Sequence, residues 1–393
     1  MDKIVLRGSV FDGSDYVEDG AVVVDPSTDL VDACGRMGEV DLPANAQTIG
    51  GEGVSVIPGL MDAHMHFFAS KTHNLLEWVS VPETLAALRS VRDLKALLRA
   101  GFTTVRELGS KCGTYLSQAV DEGVIDGPTI ISSSKSLAQT GGDDDPLTLP
   151  LEVSKELSYS YYCDGPWECR RAVRMVVRDG GRVVKVYASS SFAQGGRVRR
   201  QFTVEELKAI VDEAHAAGLR VAAHAYGEEA ITNAVEAGVD SIEHGIGLTE
   251  EAAFKMKSKG IFYVPTLSAY VGSENAGSPE RRALVQRHLK QDVEVALNAG
   301  LKIVCGSDFV GSERDPHGEN YREIVYLSEV IGNRLALVAA TTNAAECIGV
   351  DSGRIKRGAP ADLVLVKGSP LQDIMAISPQ RILHVMKSGR IVF

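Results

Sequence analysis

Two histidines separated by one residue, His64 and His66, could bind a metal ion together. They end an apolar run that begins near Val54 and finishes as Pro58-Gly59-Leu60-Met61-Asp62-Ala63-His64-Met65-His66. In a β-strand, side chains at i and i+2 point to the same face, so the two imidazoles would project together. Two imidazoles at a strand end make half of a metal site. Because His-x-His is common by chance, the pattern needs further ligands from elsewhere in the chain.

Four more residues that could complete such a site stand where later apolar strands run out. They are Lys185, His224, His244 and Asp308. Imidazole and carboxylate are ordinary zinc ligands, and catalytic zinc sites keep one coordination position open for water. Lys185 is unusual, because a protonated lysine in Val183-Val184-Lys185-Val186 would be desolvated and repelled by metal cations. Reaction with carbon dioxide would give an anionic carbamate that bridges two metals, whereas the alternative is a neutral core lysine.

The strands that must position these residues alternate with helices. From about residue 90 to 305, an amphipathic helix, a glycine and a short apolar strand recur. The glycines fit helix ends in the left-handed conformation. With strands near 57–63 and 128–133, the pattern predicts an α/β fold of eight units, a (β/α)₈ TIM barrel with its reactive groups at the C-terminal strand ends. A doubly wound open sheet is the alternative, but no Gly-x-Gly-x-x-Gly follows the first strand.

The two ends of the chain are rich in β-branched residues and turn signals. Residues 1–56 and 355–393 are therefore predicted to form one composite β-sandwich domain. The barrel that carries the candidate metal ligands, predicted over residues 57–354, is inserted between them.

Composition narrows the classes of function. The net charge of −11 argues against a broad nucleic-acid interface. No uncharged apolar stretch reaches the roughly 20 residues of a membrane helix, and the N-terminus reads directly into a strand without a signal-peptide core. We therefore expect a cytoplasmic protein, with no membrane or nucleic-acid partner. Cys163 and Cys169 are close enough in sequence to bridge, but free thiols are expected in a reducing compartment.

Several longer motifs resemble the amidohydrolase superfamily, specifically its binuclear members with a carboxylated lysine. The resemblance covers essentially the whole chain. Its motifs are Gly59 to His66, the lysine of the fourth strand, His224-Ala225-Tyr226, Ile242-Glu243-His244-Gly245, Gly306-Ser307-Asp308 and the return segment from Gly353 to Val364.

That resemblance implies roles for the strand-end residues. His64, His66 and Asp308 would hold the more buried of two divalent metal ions, with zinc the expected metal, and His224 and His244 the more exposed one. Carboxylated Lys185 and a hydroxide would bridge the two ions. Two cations lower the pKa of the water between them. Asp308 is then expected to take the proton from the nucleophile and to deliver it to the leaving amine.

Within the superfamily, the sequence resembles a branch of prolidase-like and Xaa-Arg/Lys carboxypeptidases that also contains ochratoxin- and phenylurea-cleaving amidases. Tyr226, two residues beyond His224, could bind a substrate carboxylate or the developing oxyanion. In Gly141-Gly142-Asp143-Asp144-Asp145 the family usually has a histidine where Asp143 stands, and that histidine helps to bind the substrate carboxylate. Asp143 would instead attract a cationic group, so a basic side chain is recognised or the substrate lacks a free carboxylate. A solvated acidic loop tip is the other interpretation.

The predicted function is metal-dependent hydrolysis of C–N amide bonds in small peptides or N-acyl amino acids. Two long rim segments are expected near 136–172 and 309–322. The first carries Tyr159, Tyr161, Tyr162 and Trp167, which suit an apolar or aromatic substrate, although packing of the segment on itself would explain them equally well. Aryl amides, ureas, mycotoxin-type amides and lactones are therefore alternative substrates. A mononuclear deaminase or imidazolone hydrolase is disfavoured by Lys185, and a non-catalytic assembly protein by the full ligand set. By likeness to the family, a homo-oligomer is expected.

Overall fold

The computed structural model describes residues 2–192 and 198–393. Its strands are β1 Ile4–Phe11, β2 Tyr16–Asp25, β3 Leu30–Arg36, β4 Gln47–Pro58, β5 Leu60–Met65, β6 Phe102–Glu107, β7 Thr129–Ser132, β8 Ser136–Ala138, β9 Ser160–Tyr162, β10 Val184–Tyr187, β11 Val221–Ala225, β12 Ser241–His244, β13 Phe262–Val264, β14 Leu363–Lys367, β15 Ile382–Lys387 and β16 Arg390–Ile391.

The α-helices lie mostly between the strands of the central region. They are α1 Leu75–Ser80, α2 Glu83–Arg99, α3 Gly113–Asp121, α4 Leu151–Leu157, α5 Gly165–Arg178, α6 Val204–Ala216, α7 Glu228–Ala237, α8 Glu250–Lys259, α9 Pro279–Arg287, α10 Val293–Asn298, α11 Tyr321–Ile331, α12 Asn333–Ala339 and α13 Thr342–Ile348. None of the helices in the described ranges is long and apolar enough to cross a membrane.

Both ends of the chain contribute to one seven-stranded sheet, in the order β16-β15-β14-β4-β1-β2-β3. The central strand β4 pairs in parallel with β1 and antiparallel with β14, which joins the two chain ends. Side chains of β14 alternate between two cores: Leu363 and Leu365 pack within the terminal sheet, and Val364 and Val366 pack against the helices and strands of the central region. β4 continues to Pro58, two residues past the predicted boundary at residue 56. The sandwich arrangement stays a prediction.

The strands of the central region pair in parallel, with helices between them, as the βα pattern predicted. β5, β6 and β7 form one sheet, and β9, β8, β10, β11, β12 and β13 form another in that order. The backbone NH of Arg182, just before β10, donates to the carbonyl of Ser132 at the end of β7. Parallel bridges join Tyr263 to Ile303 and Met65 to Phe309. The pairings therefore run from β5 through β13 to the segment 303–309 and back to β5.

The parallel register brings the C-terminal ends of these strands to one edge. Tyr187 pairs with His224, and Ala225 pairs with His244. The two histidines therefore lie one residue apart along neighbouring strands. Asp308 lies in the segment that pairs with β5, where its backbone NH donates to the carbonyl of His64.

The segment 136–172 is more regular than a long rim loop. It contains β8, α4, β9 and the first half of α5, because short apolar stretches such as Leu137 and Tyr159 pack into the core. All six cysteines are free, and Cys163 and Cys169 are buried.

Candidate metal centre and active site

Four imidazoles lie in one cluster at the strand ends. The ring centroids of His64 and His66 are 5.4 Å apart, those of His64 and His244 are 4.9 Å apart, and those of His224 and His244 are 4.6 Å apart. All four side chains are almost fully buried. Burial lowers the pKa of His66, His224 and His244, which favours the neutral imidazole that can bind a metal.

Asp308 completes a group of three donors with His64 and His66. Its Oδ1 lies 3.3 Å from Nε2 of His64 and 3.2 Å from Nε2 of His66. One ligand atom from each residue falls within 4.8 Å of the others. Burial would raise the pKa of Asp308, but the histidines around it hold that pKa well below its usual range. An ionised carboxylate facing two imidazole nitrogens has the chemistry of a zinc-type site.

The Nδ1 atoms of His64 and His66 are both hydrogen-bonded to protein acceptors. Nδ1 of His64 donates to Oε2 of Glu243 at 2.8 Å, and Nδ1 of His66 donates to the carbonyl of Gly109 at 2.9 Å. A ring that donates from Nδ1 in this way can offer the lone pair of Nε2 to a metal ion on the side of Asp308. Arg106 pairs with the second carboxylate oxygen of Glu243 at 2.8 Å. Burial would raise the pKa of Glu243, but Arg106 and His64 lower it to about 2.

The other two histidines also offer nitrogen donors. Nε2 of His224 is buried without a hydrogen-bond partner in the described ranges, which is costly unless a ligand satisfies it. Nδ1 of His244 lies 2.7 Å from Oγ1 of Thr266. The Thr266 hydroxyl itself donates to the carbonyl of Pro265, so it accepts from His244 and leaves Nε2 of that ring unprotonated.

Lys185 lies within the same group. Its Nζ is 3.2 Å from Nε2 of His64, and the side chain is buried. Burial lowers the pKa of Lys185 to about 8, although Glu243 and Asp308 oppose that shift. The amine is thus neutral in an appreciable fraction of molecules near neutral pH. The nitrogen and oxygen donors present, including the unpartnered His224 nitrogen, fit divalent metal ions.

The backbone at the strand ends is unusual. His244, Thr266 and Asp308 have φ angles of 63°, 53° and 59°, a left-handed conformation that is uncommon for residues other than glycine. The backbone at Gly306 lies close to β5, because a Cβ added there would lie 2.8 Å from Cβ of His64. These positions turn the chain sharply, and Gly306 lets the last strand segment approach β5.

Tyr226 lies where the sequence predicted, on the face of His224. Its ring stacks on that imidazole with centroids 4.3 Å apart. Its hydroxyl is hydrogen-bonded to that of Tyr270, which lies 3.1 Å from Nδ1 of His244. The phenol is therefore beside the proposed metal ligands, within a row of hydroxyl groups.

Asp143 also reaches the site, and the solvated-tip interpretation of the acidic triplet is wrong. Asp143, Asp144 and Asp145 are all buried. Oδ1 of Asp143 accepts hydrogen bonds from the backbone NH and the hydroxyl of Ser191 at 2.7 and 2.8 Å. Burial raises the pKa of Asp143 to about 6. Ser160 and Ser154 donate in the same way to one oxygen each of Asp144 and Asp145, so the triplet is a folded segment and not a solvated loop tip. The glycine- and serine-rich stretch that follows Ser191 falls mostly outside the described residues.

A cavity of about 230 Å³ opens above the proposed metal ligands. One wall is aromatic: the Phe68 ring lies 4.8 Å from Trp78 and 4.6 Å from Tyr159, centroid to centroid. Of the four aromatic residues singled out in the rim segment, only Tyr159 lines this cavity, and Trp167 is 83% exposed. Arg281, Phe192 and Tyr270 also line the cavity.

Sequence reasoning missed several of these residues. Glu243 stood within a quoted motif, and a glutamate inside an apolar strand was a usable signal for a buried partner. Phe68 follows His66 closely and could have been placed at the same strand end. Arg281 gave no signal, because it lies in a polar helix far from any strand end.

Comparison with known proteins identifies the relatives of this chain. A family model described as "Amidohydrolase family" matches residues 55–392. Ochratoxinase from Aspergillus niger is 32% identical over 375 residues, covering 86% of this chain and 75% of the relative. A solved structure of that ochratoxinase superposes with a TM-score of 0.91 at 28% identity, covering 100% of this chain and 96% of the other. A solved prolidase complexed with N-methylphosphonate-L-proline is 36% identical, with a TM-score of 0.86 and 99% coverage of both chains.

The chain therefore belongs to the amidohydrolase family. It is a hydrolase that acts on amide C–N bonds.

Proposed function

We propose that this chain is a binuclear metal-dependent amidase on a closed (β/α)₈ barrel, which hydrolyses small peptides or N-acyl amino acids. The observation that carries the proposal is the convergence of six donor residues from different strand ends on one cavity. These are His64, His66, Lys185, His224, His244 and Asp308. Two parallel sheets support the barrel, because one backbone hydrogen bond between β7 and Arg182, just before β10, and two parallel bridges through the segment 303–309, connect their edges.

His64, His66 and Asp308 would hold one divalent ion, and His224 and His244 would hold the other. Lys185, as a carbamate, would bridge them, and its partly neutral amine supports that chemistry. Zinc fits this mixture of imidazole and carboxylate donors. When bound, two such ions supply an activated water at neutral pH and polarise the scissile carbonyl.

Asp308 is the proton carrier of this proposal. Its Oδ1 faces the Nε2 atoms of His64 and His66, while its side chain remains 24% exposed to the cavity. The carboxylate can therefore accept a proton from the nucleophile and release it to the nitrogen of the leaving amine. Tyr226 borders the same space and would donate its hydroxyl hydrogen to the carbonyl oxygen as negative charge develops.

Two similar proteins support the substrate class. One is named a prolidase and the other an ochratoxinase, and both names denote enzymes that hydrolyse an amide bond. The cavity of about 230 Å³ favours a small substrate. A second candidate substrate is an aryl amide, which the aromatic wall of Phe68, Trp78 and Tyr159 favours.

The test measures turnover of dipeptide and N-acyl-amino-acid libraries by protein of known metal content. The wild type is compared with the Lys185→Ala variant in the same assay. Release of an amino acid by the wild type, with close to two metals per chain, supports the proposal. No turnover of either library by wild type with two bound metals would overturn the peptidase assignment. Aryl amides, ureas and lactones would then be assayed with the same preparation.

A further inference from the structure

Arg281 is a cation on the wall of the cavity that also contains the proposed metal ligands. It lies in the first turn of α9 and is partly buried. No carboxylate of the described ranges lies within 4.0 Å of its guanidinium. A guanidinium on a cavity wall without a carboxylate partner in the described ranges can pair with an anionic group of a ligand.

The hydrogen bonds of Arg281 leave one edge of the guanidinium open. Nη1 donates to the carbonyls of Ser273 and Ala276 at 2.7 and 2.9 Å, and Nη2 donates to Oγ of Ser273 at 3.1 Å. These three bonds fix the orientation of the group against the chain before α9. Within the described ranges, no residue accepts a hydrogen bond from Nε or from the second hydrogen of Nη2. Those two hydrogens form the parallel pair that binds a carboxylate in bidentate geometry.

The guanidinium is connected to the metal-ligand region by aromatic rings. Its Cζ lies 5.3 Å from the Phe192 ring centroid, and that ring lies 5.1 Å from the ring of Tyr226. Tyr226 in turn stacks on His224. The cavity is small, so a substrate that reaches the histidines also approaches Arg281.

On these grounds, and resting on the proposed amidase function, we propose that Arg281 binds the carboxylate of the substrate. Its open Nε and Nη2 edge would receive the two carboxylate oxygens of an N-acyl amino acid. Asp143, which stands in the position where the family usually has a carboxylate-binding histidine, does not exclude such substrates, because the cation comes from α9.

The experiment compares N-benzoyl-L-phenylalanine with its carboxamide, in which a neutral NH₂ group replaces the anionic oxygen. Turnover is measured as release of benzoate, so that only cleavage of the benzoyl amide, which both compounds contain, is counted. Wild-type metal-loaded enzyme is expected to prefer the acid by about 10- to 100-fold in kcat/KM, mostly through KM. Arg281→Met should reduce that preference to less than about 3-fold. Both compounds are assayed with the same variant, so any general damage to the segment before α9 cancels in the ratio of their kcat/KM values.

Arg282→Met is the matched control. Its Nη1 also donates to a nearby carbonyl, that of Gly277 at 2.7 Å, but its side chain does not line the cavity. This variant should keep the wild-type preference. An unchanged preference in Arg281→Met, or no preference in the wild type, would overturn the role of Arg281.

Calorimetric binding of the same two compounds separates this inference from the proposed function. Tighter binding of the acid that depends on Arg281, without turnover of either compound, would support the carboxylate site and count against the amidase. Turnover of both compounds at equal rates, with equal binding, would leave the amidase standing and exclude the carboxylate site.

Discussion

Nδ1 of His64 lies 2.8 Å from Oε2 of Glu243, and neither side chain is exposed to solvent. The other oxygen of the same carboxylate pairs with Arg106. Glu243 thus receives a hydrogen bond from His64 on one oxygen and from Arg106 and Ser241 on the other. It holds the imidazole in the tautomer whose Nε2 lone pair lies on the side of Asp308. Such partners of metal-binding histidines determine ring orientation and raise ligand basicity.

Glu243→Gln should weaken metal binding by about 10- to 100-fold. The glutamine amide keeps a single acceptor oxygen, so its NH₂ group must face either His64 or Arg106, both of which are donors. Arg106 loses its ion pair in either orientation, because the amide is neutral, and an NH₂ group that faces His64 also removes the acceptor that fixes the tautomer of that ring. Metal content after dialysis against a graded series of chelator concentrations measures the effect.

The control for this substitution is Glu236→Gln. Glu236 pairs with Lys208 on the surface, where both side chains are more than half exposed, so the change should leave metal affinity unaltered. Wild-type metal affinity in Glu243→Gln would show that the carboxylate does not position His64.

The proposed metal ligands could be predicted from sequence because each one is tied to a strand end. A period of two places His64 and His66 on one face, and parallel strands bring His224, His244 and Asp308 to the same edge. The helix-glycine-strand pattern carried that information along the whole central region. Local patterns of this kind depend on a few neighbouring residues, so one sequence is enough to recognise them.

Long-range partners could not be predicted in the same way. The Glu243–Arg106 pair joins residues 137 positions apart, and its geometry depends on how two strands pack rather than on either local pattern. Burial of the Asp143 triplet depends on Ser191 and Ser160 from other segments. Arg281 reaches the cavity from a polar helix. Each of these outcomes follows from tertiary packing, which overrides the local tendency of charged residues to face solvent.

Metal loading of the metal-free protein should require carbon dioxide and should improve as pH rises through about 8. Only the neutral amine of Lys185 forms a carbamate, and burial lowers its pKa to about 8. Below that pH the protonated amine predominates and the reaction slows. The measurement is metal uptake with and without bicarbonate at pH 6.5 to 9, together with the ¹³C signal of the carbamate from labelled bicarbonate.

Lys185→Ala should lose both the carbamate signal and the bicarbonate dependence. Lys135→Ala is the matched control, since Lys135 is also a partly buried lysine whose pKa burial lowers, but it does not line the cavity. Full metal uptake by the wild type in carbon-dioxide-free buffer, without a ¹³C signal, would contradict the bridging carbamate.

Tyr226→Phe should lower kcat by about 100-fold while metal content stays unchanged. The phenol stacks on His224 and its hydroxyl is hydrogen-bonded to Tyr270, so its position is fixed beside the proposed metal ligands. A donor held at this place would stabilise the negative charge that develops on the carbonyl oxygen, and removal of one such donor typically costs 10²- to 10³-fold. Tyr263→Phe is the control, because the Tyr263 hydroxyl is buried without a hydrogen-bond partner in the described ranges. Its removal should change neither rate nor metal content. A fall in kcat for Tyr226→Phe that is matched by lost metal would instead assign Tyr226 to positioning His224, and an unchanged kcat would exclude both roles.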